Sequence, residues 1–402
     1  MKQGHLSQYF TGIAVKHLSA VEADVLVSNQ HEFNGVEALK LIFGNASWRQ
    51  QFPAKFVYLS DRNEEAVVAD GFLTWYDARD KHPKRTEHRL YFPTTVVSEL
   101  AAEGDLLVIG RRPDGSVLVV VAESNSTVAN QVRWLFGVTD LGQTGYLIRE
   151  ELDTEQDRIA FASRAILEAI GVSVETPATD LLEDMLQRFR GGFPSTRDFS
   201  AYARSTLNEA YQGDNSDALL MAWMEREEAL FRTLERQIIS SRLSAGFGDD
   251  VDSFIAFSLS VQNRRKSRVG FALENHLEQL FVQRGVRYSR TPMTENKSRP
   301  DFLFPGVQQY RDQAFDTGRL TVLGVKTTCK DRWRQVLAEA DRVERKHLLT
   351  LEPAISSNQT EEMKAKQLQL VLPEPLHQTY SPEQRTWLNT VEFFLDRLLS
   401  QQ

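Results

Sequence analysis

Asp301, Lys326 and Glu339 are the residues of this chain whose types and order most directly suggest chemistry. Asp301 opens a short apolar run, "PDFLFP" (300–305), and Lys326 lies at the end of another, "LTVLGVKTT" (320–328). Two such strands, returning one on the other, would set the Asp and the Lys together at one sheet edge. Glu339 borders an apolar stripe of Trp333, Val336, Leu337, Ala340 and Val343, whose spacing predicts a helix over 331–345 docked on that sheet. Glu274, in "GFALENHLEQLF", flanks the stripe of Leu273, Leu277, Leu280 and Phe281 and is a fourth candidate for the same edge. Two carboxylates can hold a hard divalent cation through oxygen, most often Mg²⁺ with waters retained. Such a cation neutralises a scissile phosphate and acidifies a bound water. The lysine would stabilise developing charge and orient, or help deprotonate, the attacking water. Spacing alone leaves blander readings open. Glu339 could pair with Arg342, and Glu274 with Glu278 could form a solvated helix face.

Cations gather near these residues. Lys330, Asp331 and Arg332 follow the lysine at the strand-to-helix corner, and Arg264, Arg265, Lys266 and Arg268 form a run broken only by Ser267. Phosphate contact is one reading of that run, and a merely solvated face is the other.

The elements that must position these groups are legible from composition and period. A chain of 402 residues favours two domains, and 41% hydrophobic with 25% charged residues is ordinary globular composition. The net charge of −8 argues against nonspecific coating of polyanions, while leaving room for local basic patches. A single cysteine excludes a disulfide framework and a Cys-rich zinc site. The N-terminal "MKQGHLSQYF" has no signal-peptide core and no stretch reaches membrane-span length, so a reducing cytoplasm is expected. Residues 54–125 read as β-rich, from "AKFVYLS", "VVADGFLTWY", "HRLYFP", "DLLVIGRR" and "SVLVVVAE", with "RRPDGSV" as a hairpin turn. A helix is expected over 155–172, and "SVETPATD" (173–180) then breaks the pattern, which divides the chain into domains 1–174 and 175–402. Beyond it come helices capped at Thr179 or Asp180, from Ser216, and over about 250–285. The strands "PDFLFP", "LTVLGVKTT", "KHLLTL" and "LQLVLP" follow, and a last helix starts at the capping box of Ser381 and Gln384. The fold class is α/β, with mixed α and β layers in the second domain.

The blocks "NRRKSR" (263–268), "LENHLEQLF" (273–281), "RPDFLFP" (299–305) and "VKTTCKDRWRQVLAEAD" (325–341) together resemble the catalytic domain of EcoRII-type restriction endonucleases. That resemblance implies a restriction-endonuclease-like mixed sheet flanked by helices, and a variant of the PD…(D/E)xK metal-dependent nucleases. The usual acid two positions before the lysine is replaced by Gly324, and the family is similar in having moved that carboxylate to the following helix, where Glu339 matches. Carried over, Asp301 and Glu339 are metal ligands for Mg²⁺, Lys326 is the catalytic lysine and Glu274 an additional acid. Lys330, Asp331 and Arg332 match the triplet that reads CC:GG, since Arg or Lys donates to guanine and Asp accepts from cytosine. The family's arginine and aromatic for a central base pair have only Trp223 and Arg226 as counterparts, in an unexpected order, and Trp223 also reads as core.

The first domain resembles, more weakly, the effector-binding DNA-binding pseudobarrel of the same enzymes, β-rich with short helices, through "KHLSA" (16–20), "HEFNG" (31–35) and "WYDARDKHPKRTEHRLY" (75–91). Its candidate DNA contacts are His31, Glu32, Asn34, Arg79, Lys81, Lys84, Arg85 and Arg89, with His82, His88 and Tyr76 completing the loop and Trp75 and Tyr91 in the core. The resemblance implies a type II enzyme cutting double-stranded DNA at a CC/GG palindrome such as CC(A/T)GG. It also implies control by effector DNA, a homodimer, a hinge at "SVETPATD", and a separate cognate DNA methyltransferase. Two other classes stand beside it: a sequence-specific repressor with a vestigial nuclease fold, and a nonspecific repair nuclease.

Overall fold

In the computed structural model the chain forms two compact units, Met1–Glu175 with Ala354–Ser356, and Thr176–Pro353 with Ser357–Gln402. The structure describes residues 5–23, 31–33, 36–45, 48–63, 65–82, 84–138, 141, 145–154, 161–174, 181–207, 215–329 and 332–402. Lys330, Asp331, Asn34, the side chain of Lys266, the segment 175–180 with the expected caps Thr179 and Asp180, and residues 155–160 lie outside that description. Among the described residues no helix is long and apolar enough to cross a membrane.

The first unit is built on one eight-stranded sheet. Its strands are β1 (Gly12–His17), β2 (Glu32–Phe33), β3 (Gln50–Leu59), β4 (Val67–Asp77), β5 (His88–Tyr91), β6 (Leu106–Arg111), β7 (Val117–Ala122) and β8 (Leu147–Arg149). Their order is β2-β5-β4-β3-β7-β6-β1-β8, antiparallel except where β3 and β7 run parallel. The hairpin of β6 and β7 turns at Gly115, whose φ of 84° is a backbone conformation that glycine adopts freely. Alternation splits the apolar residues between two faces: Ile13, Val15 and Val57 belong to one cluster, Ala14, Phe56 and Trp75 to the other. Helices α1 (Thr127–Leu135) and α2 (Phe161–Ala169) contribute Val132, Ile166 and Leu167 to the first cluster.

The second unit places a five-stranded mixed sheet among helices. The strands β9 (Ser289–Arg290), β10 (Phe302–Phe304), β11 (Thr321–Lys326), β12 (Lys346–Thr350) and β13 (Leu368–Val371) lie in sequence order across it. The first three are antiparallel, and β11, β12 and β13 are parallel. Strands β10 and β12 are buried throughout and β11 at all but its last residue, so they read as continuous apolar runs and not as alternating ones. Helices α3 (Thr196–Ser205), α4 (Ser216–Ala245) and α5 (Val251–Arg284) precede the sheet. Asn215 and Asp250 cap α4 and α5, and Gly285, at φ 70°, ends α5. Buried Asp217 at the start of α4 accepts backbone N–H bonds from Glu374, Val391 and Glu392, which ties the C-terminal segment to it.

Two expected helices are different. The 331–345 helix is only α6 (Trp333–Leu337); Ala338 caps it and Ala340 takes a φ of 52°. Trp333, Val336, Ala340 and Val343 are still buried, because a helical turn followed by a tight loop satisfies the same apolar pattern. The capping box at Ser381 and Gln384 is present but starts only Pro382–Arg385. Asn389 then exchanges backbone bonds with Leu370 and Leu372 beside β13, and a new helix, α7 (Val391–Gln401), begins under Thr390. A further short helix, Ser357–Ala365, has no strong apolar period to announce it, although a parallel β12–β13 pair needs a crossover.

Candidate functional site: a carboxylate–lysine sheet edge

The antiparallel pairing of Phe302 with Leu323 carries Asp301 beside the end of β11. One Asp301 oxygen, Oδ2, accepts the Val325 backbone N–H at 2.7 Å and Lys326 Nζ at 3.1 Å. The side chains of Asp301 and Lys326 are 15% and 21% exposed, so the pair is neither sealed nor free in solvent.

Glu339 reaches this edge from the turn after α6, and not from a helix face as its spacing suggested. Its Oε2 is buried and makes no hydrogen bond. Burial, reinforced by the negative charge of Asp301, pushes its carboxyl up to about 7, against the opposing pull of Lys326 and Lys346. Arg342, the alternative partner, is instead bonded to backbone carbonyls including those of Asp312 and Phe315.

Glu274 on α5 joins the same field. Burial raises its pKa, Arg290 lowers it, Asp301 raises it and Lys326 lowers it. The Arg290 guanidinium on β9 donates to Glu274 at 2.9 Å, to Glu278 at 2.7 Å and to Asn275 Oδ1 at 3.0 Å. Neither Arg290 nor Lys346 stands out in the sequence. The one signal for Arg290 is a cation on a strand next to the one that follows Asp301.

Glycine at 324 has a steric cause. A Cβ there would lie 2.4 Å from Val336 Cγ2, so the helix that leads to Glu339 also fills the space beside this strand position. Among the described residues no three His, Cys, Asp or Glu side chains gather as a ready metal cage. Asp301 and Glu339, the latter with an orphaned buried oxygen, nevertheless fit a hard divalent cation held partly by water.

The cations sort unevenly. Arg332 is exposed just before α6, and it shares a cleft of ≈ 570 Å³ with Ser260, Asn263, Arg264 and Ser267 of α5. Arg264 also lies over the Phe193 ring at 4.2 Å. Arg268 corrects the sequence reading: it is 4% exposed and ion-paired with Glu228 and Glu227, so it is part of the core and not a phosphate contact. Arg265 is bound to Glu235 at 2.7 Å, which leaves it half engaged. Trp223 is buried against the His276 ring, as a core residue, and Arg226 bonds Thr206.

In the first unit the basic loop is thinner than its composition suggests. Glu32 accepts from the Tyr76 hydroxyl and from Arg89 at 3.0 Å, so neither Glu32 nor Arg89 is a free base-edge reader. Arg79 pairs with Glu87 at 2.5 Å. His88 is buried on Trp75, and His31 sits edge-on to Phe92. Lys81, His82, Lys84 and Arg85 remain exposed between β4 and β5.

Residues 231–395 match the family model described as EcoRII C terminal. A curated relative, the Type II restriction enzyme EcoRII of Escherichia coli, is 41% identical over 207 residues, covering 51% of this chain and 50% of the relative. Within 231–395 the chain is thus similar to the EcoRII C-terminal domain. The chain thus spans about half the length of the curated relative it matches. Glu274, Asp301, Lys326, Arg332 and Glu339 all lie inside the matched residues 231–395. Structural similarity is looser. The restriction endonuclease PspGI–substrate DNA complex covers 56% of this chain and 97% of its own, at 16% identity and a TM-score of 0.44. Metal-depleted Ecl18kI in complex with uncleaved, modified DNA covers 55% and 83%, at 18% identity and a TM-score of 0.42.

Proposed function

We propose that this chain is a type II restriction endonuclease that hydrolyses phosphodiester bonds of double-stranded DNA at a CC/GG palindrome, such as CC(A/T)GG. The observation that carries the reading is the orphaned, partly buried Glu339 carboxyl set against Asp301 and Lys326 at one sheet edge. Asp301 and Glu339 would hold the metal, taken as Mg²⁺, which when bound supplies charge neutralisation at the phosphate and an acidified water. The Lys326 side chain is held at the site by its hydrogen bond to Asp301 and would donate to the phosphate's developing charge. Glu274, oriented by Arg290, adds negative field and a proton acceptor near the same place. Arg332 and Arg264, on the two walls of one cleft, are positioned for phosphate or guanine, with Lys330 and Asp331 completing the reading triplet.

The same reading extends to the whole molecule. The first unit binds a second DNA copy through the loop of Lys81, Lys84 and Arg85 and holds the nuclease back when empty, with 175–180 as hinge. The enzyme works as a homodimer in the cytoplasm, beside a methyltransferase that protects host DNA. Incubation with Mg²⁺ of two plasmids, bearing one or several CC(A/T)GG sites, tests this, with Lys326→Ala alongside. Discrete fragments from the multi-site plasmid alone, reduced at least ~10²-fold in the variant, support both parts. Equal cutting of both plasmids removes the effector role. Tight binding without cutting, after other central bases have been tried, leaves a repressor.

A further inference from the structure

Lys330 and Asp331 stand in the chain between a fully buried residue, Cys329, and an exposed one, Arg332. The two flanks are tied together: the Arg332 backbone N–H donates to the Cys329 carbonyl at 2.8 Å. Cys329 is tied inward as well. Its backbone N–H donates to the carboxylate of Glu352, two residues past the end of β12. Glu352 is 5% exposed, so its charge is held out of water, which is costly unless strong bonds compensate. Its own backbone is fixed from both sides. The Glu352 N–H donates to Thr350 Oγ1 at 3.2 Å, and its carbonyl accepts the Tyr380 hydroxyl at 2.6 Å. The Thr350 hydroxyl donates to the Thr327 carbonyl at 3.4 Å, and Thr350 is the register partner of Lys326 across β11 and β12. One strand end therefore holds the corner and adjoins the lysine of the site.

We propose that Glu352 is a positioning residue for base reading: its buried carboxylate, acting through Cys329, fixes the corner from which Lys330, Asp331 and Arg332 extend. The inference rests on the reading of G:C pairs by that triplet and deepens it. A hydrogen bond to a carboxylate is roughly twice as strong as one between neutral groups. Readout by hydrogen bonds tolerates only about 0.5 Å of drift in the groups that make them. Apolar packing alone would keep the corner folded without that precision, because packing is non-directional. Glu352 and Cys329 are themselves buried, so they act on DNA only through the exposed residues beyond them.

The test uses the full chain, Mg²⁺ and a plasmid carrying several CC(A/T)GG sites plus one site with a single outer C:G pair changed to T:A. Both kinds of site meet the same enzyme molecules, so a loss of folded protein cancels in the ratio of their cleavage rates. That ratio should fall at least ~10-fold for Glu352→Leu. Glu352→Gln, whose amide oxygen can still accept the Cys329 N–H, should recover most of it. Glu352→Asp, one methylene shorter at the same charge, should resemble Glu352→Leu and replaces it if that variant does not fold. Arg332→Ala is the reference for a lost base contact. If Arg332→Ala lowers the ratio and Glu352→Leu or its replacement does not, the anchoring is overturned and the triplet stands. A Glu352→Gln ratio no better than that of Glu352→Leu overturns the anchoring too. A wild-type ratio in Arg332→Ala overturns the triplet, and the anchoring with it. A wild type that cuts neither kind of site removes the nuclease reading and this one together.

Discussion

A methyl group at position 324 would meet Val336 Cγ2 at 2.4 Å, well inside contact distance, and Val336 belongs to the short helix that leads to Glu339. Gly324→Ala is therefore expected to cost about 1–3 kcal/mol, the usual penalty for overpacking. The double change Gly324→Ala with Val336→Ala should recover most of it, and urea unfolding of the three proteins measures the difference. Glu339 makes a second residue-scale prediction. Its carboxyl titrates near 7 in the folded protein against about 4.5 unfolded, so the fold favours the neutral form. That advantage is present below pH 4.5 and is lost as pH rises through 7. Without divalent metal, Glu339→Gln should thus be more stable than wild type at pH 8.5, by about 1–2 kcal/mol after allowance for partial exposure, and no different at pH 4.5. Thermal melts at the two pH values check it; equal gains at both would exclude the burial of a charged carboxylate as the cause.

At the scale of elements, the site depends on joints more than on the elements themselves. The period of Trp333, Val336, Ala340 and Val343 suits a continuous helix, and all four are buried, yet the chain turns after Leu337. A stripe of apolar residues reports which side is inside; it does not report whether the backbone between them stays helical. The break near Asn389 has the same origin, since an edge strand offered backbone partners that a continuing helix would have forgone. Arg290 is the clearest joint. It binds Glu274 and Glu278 of α5 from β9, and all three side chains are less than one-fifth exposed. Arg290→Met should leave part-buried Glu274 unpaired, while Glu278 keeps Arg197 and the Tyr288 hydroxyl, and lower stability by about 2 kcal/mol, with Arg290→Lys recovering only part because one ammonium cannot match the fork. Denaturation midpoints with unchanged slopes would establish that.

For the whole molecule, acid stability has an identifiable contributor. His347 in β12 is 1% exposed beside the Phe394 ring, and burial pushes its pKa down to about 3. Its contribution is complete above pH 6.5, the unfolded value, and is lost as pH falls toward 3, because only the unfolded chain takes up the proton. His347→Phe should flatten the fall in stability across that window by a few kcal/mol, read as denaturant midpoints at pH 7 and pH 4. An unchanged pH profile would show that other groups govern acid unfolding.

The strand runs within 54–125, those of β10 to β13, the starts of α4 and α5, and the proximity of Asp301 to Lys326 were legible in the sequence, because period, caps and a returning strand are local properties of the chain. So was the likeness that the EcoRII C-terminal match bears out over 231–395. Strands β1, β2, β8 and β9 were not read from it. Which charges are free was a matter for the folded molecule alone. Arg268, Glu32 and Arg89 have the right types for DNA contact and are consumed by Glu228, Tyr76 and Glu87, whereas Arg264 and Arg332, far apart in the chain, share one cleft. A residue's charge is written in its side chain, but desolvation and pairing are set by whatever the fold brings within a few ångströms of it.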